Sequence, residues 1–118
     1  NNNILKIDNK KIIIKEITDL KKIKMTSDKG EIYIDYEKVI GEVNIRTRKP
    51  GDRFVPFGMK GSKKIKDFFI DEKIDSSLRN KILLVCDSKN IIWIVGYRMS
   101  DYYKITSHTK KALYLTYE

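Results

Sequence analysis

Cysteine, histidine and tryptophan each occur once in this 118-residue chain, and proline occurs twice. The lone Cys86 can close no internal disulfide, which suits a reducing compartment and leads us to expect a cytoplasmic protein. Zinc asks for about four clustered nitrogen or sulfur ligands. One Cys and one His, twenty-two positions apart, do not supply them, so no metal site is expected. A Ser/His/Asp or Cys/His device would have to use His108, which reads as a surface residue between Ser107 and Thr109. Cys86 sits in an apolar run and reads as core, not nucleophile. No catalytic residue is therefore assigned. No apolar run approaches the roughly 18 residues of a membrane span; the longest, such as Ile91–Val95, have strand length. No charged-then-apolar leader opens the chain. It starts Asn1-Asn2-Asn3 without an initiator methionine, so it is expected to be part of something longer.

Basic residues are abundant: 25 Lys and Arg against 16 Asp and Glu, a formal +9 and a pI near 9.6. With 41% hydrophobic residues the chain can bury a core, and its length fits a single domain over 1–118. The excess charge is local. Between Val43 and Lys66, Arg46, Arg48, Lys49, Arg53, Lys60, Lys63, Lys64 and Lys66 face one acid, Asp52, whereas the other 94 residues carry 17 basic and 15 acidic groups. So concentrated a positive field attracts polyanions, nucleic-acid phosphate first among them. The plainer reading is a solvated basic face without a partner.

Strand patterns dominate. Ile4–Ile7, a turn at Asp8-Asn9, and Ile12–Ile17 open the chain; Ile23–Thr26 and Glu31–Asp35 are expected to pair as a hairpin around Ser27–Gly30. Tyr36–Ile40 suits a helical turn ended by Gly41. Val43–Arg48 alternates at period two, which puts Asn44, Arg46 and Arg48 on one wet face. Pro50-Gly51-Asp52 reads as a type II turn. Ile65, Phe68 and Phe69 then lie at helical spacing, with Ser62 as the expected N-cap. A second short helix is expected from Asp75-Ser76-Ser77 to Lys81. Ile82–Cys86 and Ile91–Val95 are continuous apolar runs joined by Asp87–Asn90, expected as a buried hairpin, and Ala112–Tyr117 is a last strand. The fold class is α+β, mostly antiparallel strands with one or two short central helices.

Other chemistries fit less well. Gly58-Met59-Lys60-Gly61-Ser62-Lys63-Lys64 matches neither the P-loop nor the dinucleotide fingerprint. Its glycines either meet a phosphate or answer a turn's need for positive φ, and the breadth of the basic window favours a polymer over a small nucleotide. Asp67, Asp71 and Glu72 can share a helix face, but carboxylates at i, i+4 are commonly exposed and paired with lysines such as Lys63 or Lys64. Trp93 reads as core. Tyr97, Tyr102 and Tyr103, near Arg98 and Lys104, suit either a wet aromatic surface or the rim of the core.

Three strings carry a resemblance: Ile45-Arg46-Thr47-Arg48-Lys49-Pro50-Gly51-Asp52-Arg53-Phe54, then Pro56 to Ile74 with Gly58-Met59-Lys60-Gly61-Ser62-Lys63-Lys64-Ile65-Lys66-Asp67-Phe68-Phe69, then Ile92-Trp93-Ile94-Val95-Gly96-Tyr97-Arg98. Together they resemble the C-terminal domain of bacterial tRNA(Ile)-lysidine synthetases. The likeness runs from about Glu31 to Glu118, with residues 1–30 less diagnostic. Asp75 departs from it, because the family commonly has proline there; this touches a helix start only. The resemblance implies a β-sandwich-containing fold similar to a domain of the phenylalanyl-tRNA synthetase β subunit. It also implies a role in gripping tRNA(Ile) around the acceptor stem, while a separate N-terminal domain uses ATP to attach lysine to the wobble cytidine. That domain's Ser-Gly-Gly-x-Asp-Ser loop is missing here, so the chain is expected to hold no cofactor and to be inactive alone. Its expected partners are the tRNA and its own catalytic domain.

The eight window cations are the expected RNA contacts. Asp52 is assigned to turn capping and Asp67 to a helix salt bridge or a fixed arginine; Arg98 suits either RNA contact or structure, with service as an internal partner for an acid preferred. The rival reading is a docking or homodimerisation module whose basic face is incidental. A free-standing small-nucleotide enzyme is a third.

Overall fold

The computed structural model describes residues 2–24 and 28–118. Among these described residues, two four-stranded antiparallel sheets and a short ribbon carry one α-helix. In the first sheet, β1 (Asn2–Ile7) turns back into β2 (Lys10–Ile17) through Asp8, whose φ of +54° closes the turn. The last strand, β10 (Ala112–Tyr117), inserts between β2 and β3 (Glu31–Asp35), giving the order β1-β2-β10-β3. In the second, β4 (Asn44–Arg46), β7 (Leu84–Cys86), β8 (Ile91–Ile94) and β9 (Arg98–Met99) lie in that order. The ribbon pairs β5 (Arg53–Phe54) with β6 (Lys63–Lys64), which runs into α1 (Ile65–Asp71).

The continuous apolar runs have a direct cause. Ile12, Ile14, Ile32, Ile34, Leu113 and Leu115 of the first sheet pack on Val85, Ile92 and Trp93 of the second. The second sheet's other face buries Leu84, Cys86, Ile91 and Ile94 against Phe54, Ile65, Phe68 and Phe69. A sheet covered on both faces has no wet side, so its strands do not alternate with polar residues. Cys86 is core, as its run suggests, and burial pushes its thiol up to about 11.

Three local expectations need correction. β3 pairs with β10; Ile23 and Lys24 form no strand, and Met25–Ser27, on which the expected hairpin also rested, lie outside the described residues. The segment from Asp75 to Lys81 is a turn followed by a 3-10 turn at Arg79–Lys81, not an α-helix. Asp75 folds back to accept from the Ser77 N–H at 2.9 Å, and the next bonds close three residues apart. Leu78, the one apolar side chain there, is exposed, so no buried face holds α geometry. Finally, Ser62 does not cap α1. β6 stays extended through Lys64, which precedes the helix without a capping side chain, and the Ser62 hydroxyl accepts from Arg53 instead.

One buried carboxylate ties the strand ends together. Asp87 Oδ1 accepts from the N–H groups of Lys89 and Asn90, at 2.9 and 2.8 Å. Its Oδ2 accepts from the Ile40 N–H at 3.0 Å and from the Tyr103 phenol at 2.6 Å. Burial pushes the Asp87 carboxyl up, but these donors outweigh it and hold the group below the usual carboxylate range. Tyr103→Phe is expected to cost about 1–3 kcal/mol in a urea melt, because a buried acceptor loses its donor. Since the folded value lies below the unfolded one, the carboxylate stabilises the fold above about pH 4 and ceases to as pH falls through the folded value. The acid limb of a stability–pH curve should therefore be shallower for Asp87→Asn than for the parent chain.

Candidate nucleic-acid interface

Asp52 organises the basic window. Pro50 and Gly51 make the expected turn: Gly51 has φ of +86° and the Asp52 N–H donates to the Lys49 carbonyl at 3.2 Å. The Asp52 carboxylate then accepts from the Lys49 N–H at 2.7 Å and from both ends of the Arg46 guanidinium, at 2.8 and 3.1 Å. Its carbonyl accepts from the N–H of Ile65, the first residue of α1, at 3.0 Å. One residue thus joins β4, the turn and the helix start. Burial raises the Asp52 carboxyl, but Arg46 and Lys49 more than compensate and keep it low; Arg46 is raised in turn, chiefly by its bond to Asp52.

The eight cations fall into three groups. Arg46 is half-buried and committed to Asp52, and Lys63 is half-buried and paired with Asp71. Arg48 and Arg53 are held by neutral partners and keep their charge. The Arg48 Nε donates to Asn80 at 2.9 Å while its guanidinium lies 5.4 Å above the Phe69 ring. The Arg53 Nε donates to the Ser62 hydroxyl at 2.9 Å. Lys49, Lys60, Lys64 and Lys66 are exposed and their side chains make no hydrogen bond or ion pair among the described residues, the Lys49 ammonium acting on Asp52 only through its field.

Seven of the eight line three adjoining hollows. Arg46, Lys49 and Arg53 border the first; Arg48, Lys49, Lys64 and Lys66 the second; Arg53, Lys63 and Lys64 the third. Lys49, Lys64 and Arg53 are each shared by two, so the hollows meet around the β5–β6 ribbon. Lys60 borders none of these; it stands in the loop joining the ribbon strands. Asn44, Arg46 and Arg48 do not share an evenly wet face as the alternation suggests: Asn44 is exposed and both arginines are half-buried by their partners.

Among the described residues Asp67 forms neither the expected salt bridge nor a link to an arginine. It is exposed, in the first turn of α1, where a negative charge suits the helix dipole. Arg98 does meet an acid, approaching Glu72 at 4.0 Å while lying over the Phe68 ring. Of the three tyrosines, Tyr103 is fully buried, Tyr97 is half-buried against the α1 core, and only Tyr102 is exposed. Sequence reasoning missed Lys89, which borders the first hollow from the β7–β8 turn, and Asn80, which holds Arg48. Their proximity follows from the pairing of β4 with β7, and no local pattern signals it.

A family model described as the TilS substrate C-terminal domain matches residues 43–115. The tRNA(Ile)-lysidine synthase of Caldanaerobacter subterraneus subsp. tengcongensis is 49% identical over 92 residues, covering 76% of this chain and 20% of that protein. That of Clostridium tetani is 44% identical over 117 residues, covering 99% and 25%. The chain thus spans a quarter or less of the length of these relatives. A crystal structure of a TilS C-terminal domain superposes with a TM-score of 0.82 at 26% identity, covering 98% of this chain and 89% of that one. An N-terminal fragment of the phenylalanyl-tRNA synthetase β subunit from Pyrococcus horikoshii shares the fold, with a TM-score of 0.60 at 18% identity over 74% of this chain and 27% of that one. The matched span begins one residue before the strand that delivers Arg46 and encloses all eight window cations, and the chain belongs to the TilS substrate C-terminal domain family.

Proposed function

We propose that this chain is the RNA-gripping module of a tRNA(Ile)-lysidine synthase. It holds tRNA(Ile) around the acceptor stem while a separate N-terminal domain of the same protein uses ATP to attach lysine to the wobble cytidine. The observation that supports this best is the meeting of seven window cations around one ribbon, in a chain whose relatives carry that enzyme's name. An A-form stem is recognised mainly by its shape and backbone, and phosphate contacts fix its position without reading sequence. Side chains that keep their charge suit such work: Arg48, Lys49, Arg53, Lys60, Lys64 and Lys66. Arg46 and Lys63 act by shaping the surface. On this reading the chain binds no cofactor, does not ligate by itself, and works in the cytoplasm, where its substrate is. No helix among the described residues is long and apolar enough to cross a membrane.

Reversing Lys60, Lys64 and Lys66 to Glu in the full-length protein separates this reading from docking or dimerisation. The log–log salt dependence of tRNA(Ile) affinity should flatten by about 2–3, at about 0.7–0.9 for each phosphate that is no longer neutralised, with the melting temperature unchanged. Unaltered affinity at every salt concentration would favour the docking module. Asp52→Asn should behave differently. It loosens the turn and releases Arg46, so stability, by about 1–3 kcal/mol in a denaturant melt, and affinity should fall together.

A further inference from the structure

The loop between β5 and β6 displays two large apolar side chains from a fixed frame. Pro56 is fully buried, yet Phe57 is 42% and Met59 43% exposed. The frame is a second type II turn. Gly58 has φ of +87°, and the Met59 N–H donates to the Pro56 carbonyl at 2.9 Å. The Phe57 N–H donates to the Met99 carbonyl at 2.9 Å, and the Gly58 N–H to Asp101 at 3.1 Å. Every backbone N–H from Phe57 to Met59 is thus bonded, so the two side chains stay in water on an anchored backbone. Phe57 also borders an apolar hollow with Tyr97, Met99 and Ile105, which extends the surface open to a flat ligand. Lys60 follows, and the stem beneath carries Arg53 opposite Lys64.

We propose that Phe57, flanked by Met59, is a stacking platform for an unpaired nucleobase at the end of the RNA helix that the adjoining cations hold. The inference rests on the gripping function proposed above. A base presents a flat apolar face beside a phosphate, and the tip presents an aromatic face beside cations, so the two match in both respects. Reach is sufficient: Phe57 lies three positions beyond Phe54 of the ribbon, at most about 11 Å away. That is the scale of a few stacked nucleotides. A duplex bound by the ribbon can therefore bring its single-stranded end onto the loop. Base–aromatic stacking is tolerant of sequence, because every base has such a face. The platform would read the presence of an unpaired end, not its identity.

The test compares the full-length protein with its Phe57→Ala and Phe57→Trp variants, on intact tRNA(Ile) and on the same RNA trimmed of its unpaired 3′ nucleotides. Phe57→Ala should bind intact RNA about tenfold more weakly, with an unchanged salt slope because every cation still meets its phosphate. It should bind the trimmed RNA as the parent does, and Phe57→Trp should restore affinity. Equal binding of both RNAs by parent and Phe57→Ala overturns the platform; the gripping function survives if the lysine reversals still weaken binding and fails with it if they do not. Unchanged RNA affinity together with faster proteolytic release of this module in Phe57→Ala would also overturn it, and would identify the tip as a contact between domains. Unaltered melting temperatures for both variants exclude a general loss of fold.

Discussion

The bidentate pair between Arg46 and Asp52 is the constraint on which the basic surface depends. Eight cations within twenty-four residues repel one another, and a loop carrying them would by itself spread into water. Asp52 opposes this. Its carboxylate offsets one of these positive charges and closes the turn after β4. Its carbonyl meanwhile starts the helix that buries Phe68 and Phe69. Half-burial makes the pair more than a surface contact, because the carboxylate also accepts a backbone N–H and is left with little unsatisfied.

The same logic sorts the remaining cations. Those beside the core have found acids, as Lys63 has in Asp71, while those further out have none. Arg48 and Arg53 stand between, fixed by Asn80, Phe69 and Ser62 without losing charge. Neutral partners can orient a guanidinium while leaving its field intact, which a carboxylate cannot do. The charge that remains directed outward is accordingly smaller than composition suggests, but better placed.

Sequence revealed those parts of the fold that depend on neighbours in the chain. The Pro50-Gly51-Asp52 turn, the helical spacing of Ile65, Phe68 and Phe69, and the apolar runs of β7 and β8 were all legible, because each is set by residues a few positions apart. The place of β10 between β2 and β3 was not. Strand order is decided by which apolar faces meet, and Leu115 meets Ile14 on one side and Ile32 on the other, both most of the chain away. Ser62 misled for a related reason. A serine before an apolar periodicity is a sound cap signal, but a cross-strand arginine claimed its hydroxyl first. Asp67 misled oppositely: its charge called for a partner, and a helix terminus sufficed. Within the basic window, the cations can be counted from sequence, while their division into fixed, paired and free cannot, because that depends on Asn80, Asp71 and the ribbon register.

That division bears on how such a surface can hold a long polyanion. A free lysine loses up to about 2 kcal/mol of rotamer freedom when it settles on a phosphate, which offsets much of an exposed contact. Arg48 and Arg53 have already lost that freedom in folding, so for the grip proposed here they supply direction at little further entropic cost. The exposed lysines supply charge that adapts to whatever phosphate spacing is presented. Arginines held by neutral partners and exposed lysines without hydrogen-bonded partners therefore divide register from attraction. The doubly buried second sheet is what allows this: with Phe69 packed beneath Arg48 and Leu84 and Ile94 packed beneath Phe69, a guanidinium rests on a surface that does not yield.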